Sequence, residues 1–267
     1  MSLRNTARAF PTLLRVGFAE AVAYRAEMLV WVLATTMPLV MLALWSTVAR
    51  DAPVGRYGQP QFVAYFLSTF IVRQLTGSWA FWEMNQDVKS GALGMRLLRP
   101  VHPLLAYAAE SLAAMPMRVV VSLPLAAVAL GVIGAGGVTH DPVLWVLWAV
   151  SLAGAWLLTL FIGLAVGCAA FFFESSLKVM DLWLVFFFVF SGYLLPVEIL
   201  PGGLRAVVDA LPFRFQIGLP VELMTGALGR GEALGMLARQ WAWVAVSLGS
   251  TALMWRRGLR RFEAYGG

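Results

Sequence analysis

Few side chains in this 267-residue sequence can do chemistry. The single cysteine, Cys168, lies inside an apolar run. It permits neither an intrachain disulfide nor a thiol metal cluster, and it reads as a small buried apolar residue. The two histidines, His102 and His140, are separated by a long apolar stretch, so across membrane spans they cannot share a metal or act as a pair. Neither Lys89 nor Lys178, the two lysines, follows a glycine, which excludes the phosphate-binding G-x-x-x-x-G-K-[ST] loop. No G-x-S-x-G and no H-E-x-x-H occurs. No cluster of ionisable groups at one membrane depth can be assembled for an intramembrane enzyme. The chain is therefore expected to hold no cofactor or metal of its own. Two candidates remain: one polar stretch and one intramembrane arginine.

The polar stretch is Trp82 to Pro103, WEMNQDVKSGALGMRLLRPVHP. It carries Glu83, Asp87, Lys89, Arg96 and Arg99, two glycines and a proline stop, and it interrupts two strongly apolar blocks. Such a segment must stand in water. We read it as the place where a cytosolic partner pushes on a membrane protein. The arginine is Arg73, flanked by Phe70, Ile71, Val72 and Leu75. Facing lipid at mid-span it would cost about 2.5–3.5 kcal/mol on insertion scales. It must face the bundle or a wet cavity, either in an ion pair with an acid on a neighbouring helix or as a translocation-path residue. Glu110, Arg118 and Asp181 read as shallower groups near the cytoplasmic face that pair with one another or snorkel.

The elements that must position these residues are membrane helices. Sixty per cent of residues are hydrophobic, 13% are charged and the mean hydropathy is +0.78. Soluble globular chains carry about 25% charged residues. The net charge of +6 does not imply nucleic-acid binding, because the arginines are dispersed at the ends of apolar runs. No cleavable signal is expected, since the first long apolar run starts late and exceeds a signal h-region. Residues 7–24 form an amphipathic helix, with Phe10, Leu13, Leu14, Gly17, Phe18 and Ala21 on one side and Arg8, Thr12 and Arg15 on the other. It should lie in the headgroup layer. The first span is 28–49, with Trp31 and Trp45 toward its ends and a kink at Pro38. Spans follow within 61–82, 104–138, 143–173, 182–197 and 236–255, the fourth being the longest uncharged run. A turn is expected over 134–142 and a polar connection over 174–181. The 198–235 segment holds Pro201, Pro212 and Pro220 among short apolar pieces that cannot cross a bilayer. Over 198–225 these read as re-entrant helices at the outer face. The fold class is thus all-α and integral to the membrane, a single transmembrane domain over 1–267.

Six spans place both termini on one side. Arg4, Arg8, Arg15 and Arg25 precede the first span, and Lys89, Arg96 and Arg99 lie between the second and third. Lys178 lies between the fourth and fifth, and Arg256, Arg257, Arg260 and Arg261 close the sixth. The positive-inside rule puts these segments in the cytoplasm.

In order and spacing these features resemble the permease subunits of type-2 ABC exporters. The features are an N-terminal amphipathic helix, six spans, the cytosolic E-M-N-Q-D-V-K-S-G-A-L…L-L-R-P stretch and a proline-glycine segment before the last span. SGYLLPVEILPGGLRAVVDALPFRFQIGLPVELMTG is the most specific part. The resemblance implies a bacterial inner-membrane half-transporter that pairs with a second permease, itself or a relative. Separate cytosolic ABC ATPase subunits, which bind ATP and magnesium, would drive it. It places a coupling helix at about Glu83–Ser90, where Glu83, Asp87 and Lys89 would meet the ATPase, within a cytosolic segment 83–103 that includes Arg96 and Arg99. The cargo expected is hydrophobic or amphipathic. The alternatives are a passive channel or ion-coupled carrier, a membrane-embedded enzyme, or an anchor for a cytosolic protein. A carrier is expected to show mid-span acids. An anchor would not need the 198–235 segment.

Overall fold

The computed structural model describes residues 3–26, 30, 35–133, 137–174 and 176–262. Among these the regular elements are all helices, and the one isolated backbone bridge joins Val54 and Tyr57. The helices are α1 Leu3–Ala23, α2 Met37–Val48, α3 Gln59–Thr76, α4 Ala80–Ser90, α5 Leu93–Leu98, α6 Pro103–Ala113 and α7 Met115–Ile133. They continue with α8 Pro142–Gly167, which runs into a 3-10 turn at Cys168–Phe171, then α9 Ser176–Phe190, α10 Gly202–Ala210, α11 Gly218–Met224 and α12 Arg230–Leu259. Two runs, Pro103–Pro124 and Pro142–Phe171, are long and apolar enough to cross a bilayer by length and composition.

Local sequence sets the helix starts. Prolines stand in the first turn of α2, α3, α6 and α8, where a missing N–H costs nothing. Asp141 Oδ1 accepts from Val143 N at 2.9 Å, and His102 Nδ1 accepts from Leu104 N at 3.3 Å. Gln61 Oε1 accepts from Gly58 N at 3.1 Å. α4 stops at Gly91, whose φ of +78° is left-handed and suits glycine.

Five boundaries differ from the sequence reading, among them the fifth expected span: α9 runs over Ser176–Phe190, taking in most of the connection expected over 174–181 and stopping short of 197. Pro38 opens α2 and kinks no helix interior. The start of the first expected span, with Trp31, lies outside the described residues, as do 134–136 of the expected turn. The second expected span is not continuous. It ends at Thr76, passes through an extended Gly77 and resumes as α4, so Arg73 stands in the last turn of α3 and not at mid-span. The third is divided at Ala114 into α6 and α7. The last helix begins at Arg230, ahead of the expected 236.

α8 is the central post. It packs on α12, α4, α11 and α3. Gly154 makes room for an α12 side chain, since a Cβ there would stand 2.9 Å from that of Gln240. The buried Gln240 amide uses that space to donate to Ser151 O at 3.0 Å and Phe215 O at 2.8 Å. A polar side chain inside an apolar core is tolerated when paired in this way. α3 is buried on nearly every side, through Phe62, Tyr65, Phe66, Phe70 and Val72. α1 lies along α6, where Gly17 faces Ala113, while Val16 and Phe18 stay exposed. Its apolar side is thus shared between protein and surroundings.

The loops gather at two ends. At one, Arg56 pairs with Glu198 at 2.5 Å, Arg230 with Asp141 at 2.7 Å, and Thr139 N donates to Met224 O at 2.9 Å. At the other lie α4, α5, the Cys168–Phe171 turn and the end of α12, where His102 and Phe171 contact Trp255. His102 and His140 belong to opposite ends.

Candidate functional site

The polar stretch folds as two short helices with different environments. α4 buries Ala80, Met84, Asn85 and Val88 against α8 and the Cys168–Phe171 turn. Asn85 Nδ2 donates to Ser176 Oγ at 2.7 Å, and Lys89 Nζ donates to Phe173 O at 2.8 Å. Lys89 is therefore a tether to the α8–α9 connection. α5 stands proud of the bundle: Met95 is 68% exposed and Leu98 80%, with Arg99 and Pro100 exposed beside them.

Three of the candidate residues point inward. Arg96 Nε meets Asp87 Oδ2 at 2.6 Å, and its Nη1 meets Glu110 Oε1 at 2.7 Å. Its guanidinium also lies over the Tyr107 ring, 4.5 Å from the centroid. Tyr107 Oη donates to Asp87 Oδ2 at 2.6 Å, and Glu83 hydrogen-bonds Glu110. Two carboxylates thus pair with one guanidinium, and a third, Glu83, hydrogen-bonds one of them. Burial, together with the adjacent Glu110, pushes the Glu83 carboxyl up to about 7, so the Glu83–Glu110 pair retains a proton near neutrality. The cluster braces α4, α5 and α6 against one another, and a push on α5 reaches both neighbours through Arg96. Sequence reasoning brought Glu83, Asp87 and Arg96 into one segment but missed Tyr107 as a member. It also expected Glu110, Arg118 and Asp181 to pair with one another or snorkel, whereas Glu110 pairs with Arg96. The spacing carried one usable signal that went unread: Met95 and Leu98 are apolar residues in a stretch that must stand in water.

Arg73 and Arg118 meet elsewhere. They flank Gly77, where the chain breaks between α3 and α4. A Cβ on Gly77 would stand 2.9 Å from Arg118 Nη1 and 3.9 Å from Arg73 Nη1. Arg118 is 7% exposed and donates to Gly77 O and, at 3.0 Å, to Ser111 O. Arg73 hydrogen-bonds Tyr193 and lies over the Phe187 ring, 5.4 Å from the centroid. Among the described residues no carboxylate comes within 4.0 Å of either guanidinium. The acid partner expected for Arg73 is replaced by a phenol and an aromatic face.

Both arginines line a cavity of about 1060 Å³. It runs from Trp82, Glu83 and Asp181 near one end of the bundle to Tyr193, Leu194 and Gln216 toward the other. Its walls are mostly apolar and aromatic, supplied largely by α9. A smaller groove of about 450 Å³ lies between α10 and α12 beside Asp209 and Arg239.

The 198–225 segment is more tightly built than its glycines and prolines foretell. α11 is buried along its whole length. Arg214, 2% exposed, meets Glu222 Oε2 at 2.8 Å and Oε1 at 3.2 Å, and it also pairs with Asp209. Gly192, at φ +88°, turns the chain out of α9, and its carbonyl accepts from Tyr65 Oη at 2.7 Å. A side chain at Gly192 would meet that same hydroxyl at 2.5 Å.

No curated protein sequence gives a significant match to this chain. A family model described as ABC-2 family transporter protein matches residues 28–266. That span covers α2 to α12, the braced polar stretch and the buried 198–225 segment, with only α1 ahead of it. Membership implies a membrane-embedded permease that works with ABC ATPase subunits. On a match across nearly its whole length, the chain belongs to the ABC-2 family of transporter proteins.

Proposed function

We propose that the chain is the permease of an ATP-driven exporter, with the α4–α5 segment receiving the stroke of a cytosolic ABC ATPase. One observation carries this reading: the exposed apolar tip of Met95 and Leu98 sits on a segment braced by Arg96 to both neighbouring helices. An apolar tip flanked by Arg99 suits a protein partner better than open water. Glu83 and Asp87 act behind that contact as transmitters, Lys89 holds α4 to the α8–α9 connection, and Arg96 couples them. The ATPase subunits bind the ATP and magnesium; this chain holds neither. Six spans, cytoplasmic termini, residence in a bacterial inner membrane and pairing with a second permease complete the reading. The cavity beside α9 is the path for a hydrophobic or amphipathic cargo. Apolar walls of that size favour such a molecule over a small ion.

The decisive experiment is copurification with the ATPase followed by transport in proteoliposomes. Met95→Asp/Leu98→Asp is expected to release the ATPase or to cut coupled transport at least tenfold while the permease still inserts. Full ATPase retention with normal transport in this variant would sink the coupling assignment. Topology is checked separately. In a Cys168→Ala background, Gly203→Cys, at an exposed position of α10, is expected to label from outside with an impermeant thiol reagent. Labelling only from the cytoplasm would invert the orientation.

A further inference from the structure

The two arginines at Gly77 have a chemistry that neither helix packing nor ATPase coupling uses. Arginine stays protonated in proteins, so both side chains are cations. Both approach the same point beside Gly77, and neither has a carboxylate within 4.0 Å among the described residues. Arg118 Nε is buried and makes no hydrogen bond. Its two terminal nitrogens are spent on carbonyls of Gly77 and Ser111. Like charges drawn together away from bulk water repel, and no carboxylate among the described residues forms an ion pair with either guanidinium to offset it. An oxyanion between them would supply the missing charge and an acceptor, since guanidinium groups take carboxylate and phosphate oxygens in paired hydrogen bonds.

The surroundings say what carries the anion. The arginines open onto the 1060 Å³ cavity, whose wall is formed by Trp79, Trp82, Met180, Leu184, Phe187 and Phe188. Drug-sized sites occupy about 300–1,000 Å³, so a long apolar group fits beside the head. Two acids also line the cavity. Glu83 is bonded to Glu110 within the brace, and Asp181 stands on the exposed side of α9. Glu83 acts on Arg118 through space only, and neither acid forms an ion pair with either arginine within 4.0 Å.

We propose that Arg73 and Arg118 form an oxyanion subsite that holds the carboxylate or phosphate head of an amphiphile, with its apolar part along the aromatic wall of α9. The inference rests on the permease reading for its transport consequence but not for binding itself. The head belongs either to transported cargo or to a resident membrane lipid; the chemistry of the subsite is the same.

The test uses the full chain with its ATPase partner in an uncharged maltoside detergent. Calorimetric titration with dodecyl phosphate is compared with dodecyltrimethylammonium and with inorganic phosphate. Dodecyl phosphate is expected to bind at least tenfold more tightly than either. Arg73→Gln and Arg118→Gln are each expected to weaken it about tenfold, and Arg73→Lys, which keeps the charge but not the guanidinium fork, to retain part of the affinity. Equal affinity for the anionic and cationic amphiphiles in the wild type overturns the proposal, with no variant required to fold. So does undiminished dodecyl phosphate affinity in both glutamine variants. Binding of inorganic phosphate as tight as that of the amphiphile overturns the apolar half of the site. ATP-dependent transport of dodecyl phosphate in proteoliposomes marks the head as cargo. Binding without transport, with phospholipid retained through purification, marks a resident lipid. If the ATPase fails to associate while arginine-dependent binding persists, the permease reading falls and the subsite stands.

Discussion

Arg214→Leu is expected to destabilise the protein by about 3–5 kcal/mol, the range for stranding one member of a buried ion pair. Glu222 is 1% exposed, and Arg214 is its salt-bridge partner among the described residues. Removing the guanidinium leaves a carboxylate on α11, a helix buried along its whole length, with no ion-pair partner among the described residues. Asp209 loses one partner too, but it keeps Arg205 at 3.8 Å and at 28% side-chain exposure can turn to solvent, so it adds less. Unfolding in mixed micelles under rising denaturing detergent measures the loss. Arg214→Leu/Glu222→Leu should recover most of it, because two apolar side chains replace a desolvated pair. If the double variant is no more stable than the single one, the damage comes from lost packing of the Arg214 stem and not from the stranded charge.

The same residues show where sequence reading ends. Helical class and helix positions follow from long uncharged runs, because a backbone in hydrocarbon must satisfy itself internally. The resemblance pointed to the family because the order of spans, polar stretch and proline-glycine segment is a one-dimensional property. Pairing is not. Arg214 and Glu222 are separated by a turn at Phe215–Ile217, with no helical period linking them, so a list of charges in 198–235 could not show that two of them leave water together. Arg118 was legible as a charge inside an apolar run, yet its approach to Arg73 depends on the chain breaking at Gly77. That break is a backbone event that the apolar run from 61 to 82 conceals. Glu83, Asp87 and Arg96 were legible as a polar segment because polarity is local. Their inward direction was not, because Tyr107 and Glu110, the groups they face, come from the next helix.

Lowering the pH from 8 toward 5 is expected to stabilise the α4–α6 brace, and Glu83→Gln to remove most of that dependence. The sign follows from the raised carboxyl. Glu83 ionises near the usual carboxylate value of 4.5 when unfolded, and at about 7 in the native brace, where burial and Glu110 oppose its charge. The native state therefore holds a proton that the unfolded chain has released. This contribution is fully present below about 4.5 and is lost as pH rises through about 7. At 1.36 kcal/mol per pKa unit, the span corresponds to about 3 kcal/mol between the two limits. Glutamine keeps the hydrogen-bonding shape of the protonated acid and cannot ionise, so Glu83→Gln should be the more stable protein at pH 8 and equal to wild type at pH 4.5. Thermal unfolding of the detergent-solubilised protein at stepped pH is the measurement. Asp141, held below its usual range mainly by its hydrogen bond to Arg230, acts in the opposite sense at still lower pH and does not touch this window. An Asp87→Asn variant should leave the Glu83 transition in place, because it removes a neighbour of Arg96 and not the carboxyl that shares its proton with Glu110. If wild type and Glu83→Gln show parallel curves from pH 5 to 8, the proton is not in the brace, and Glu83 is an ionised surface group open to direct contact with the ATPase.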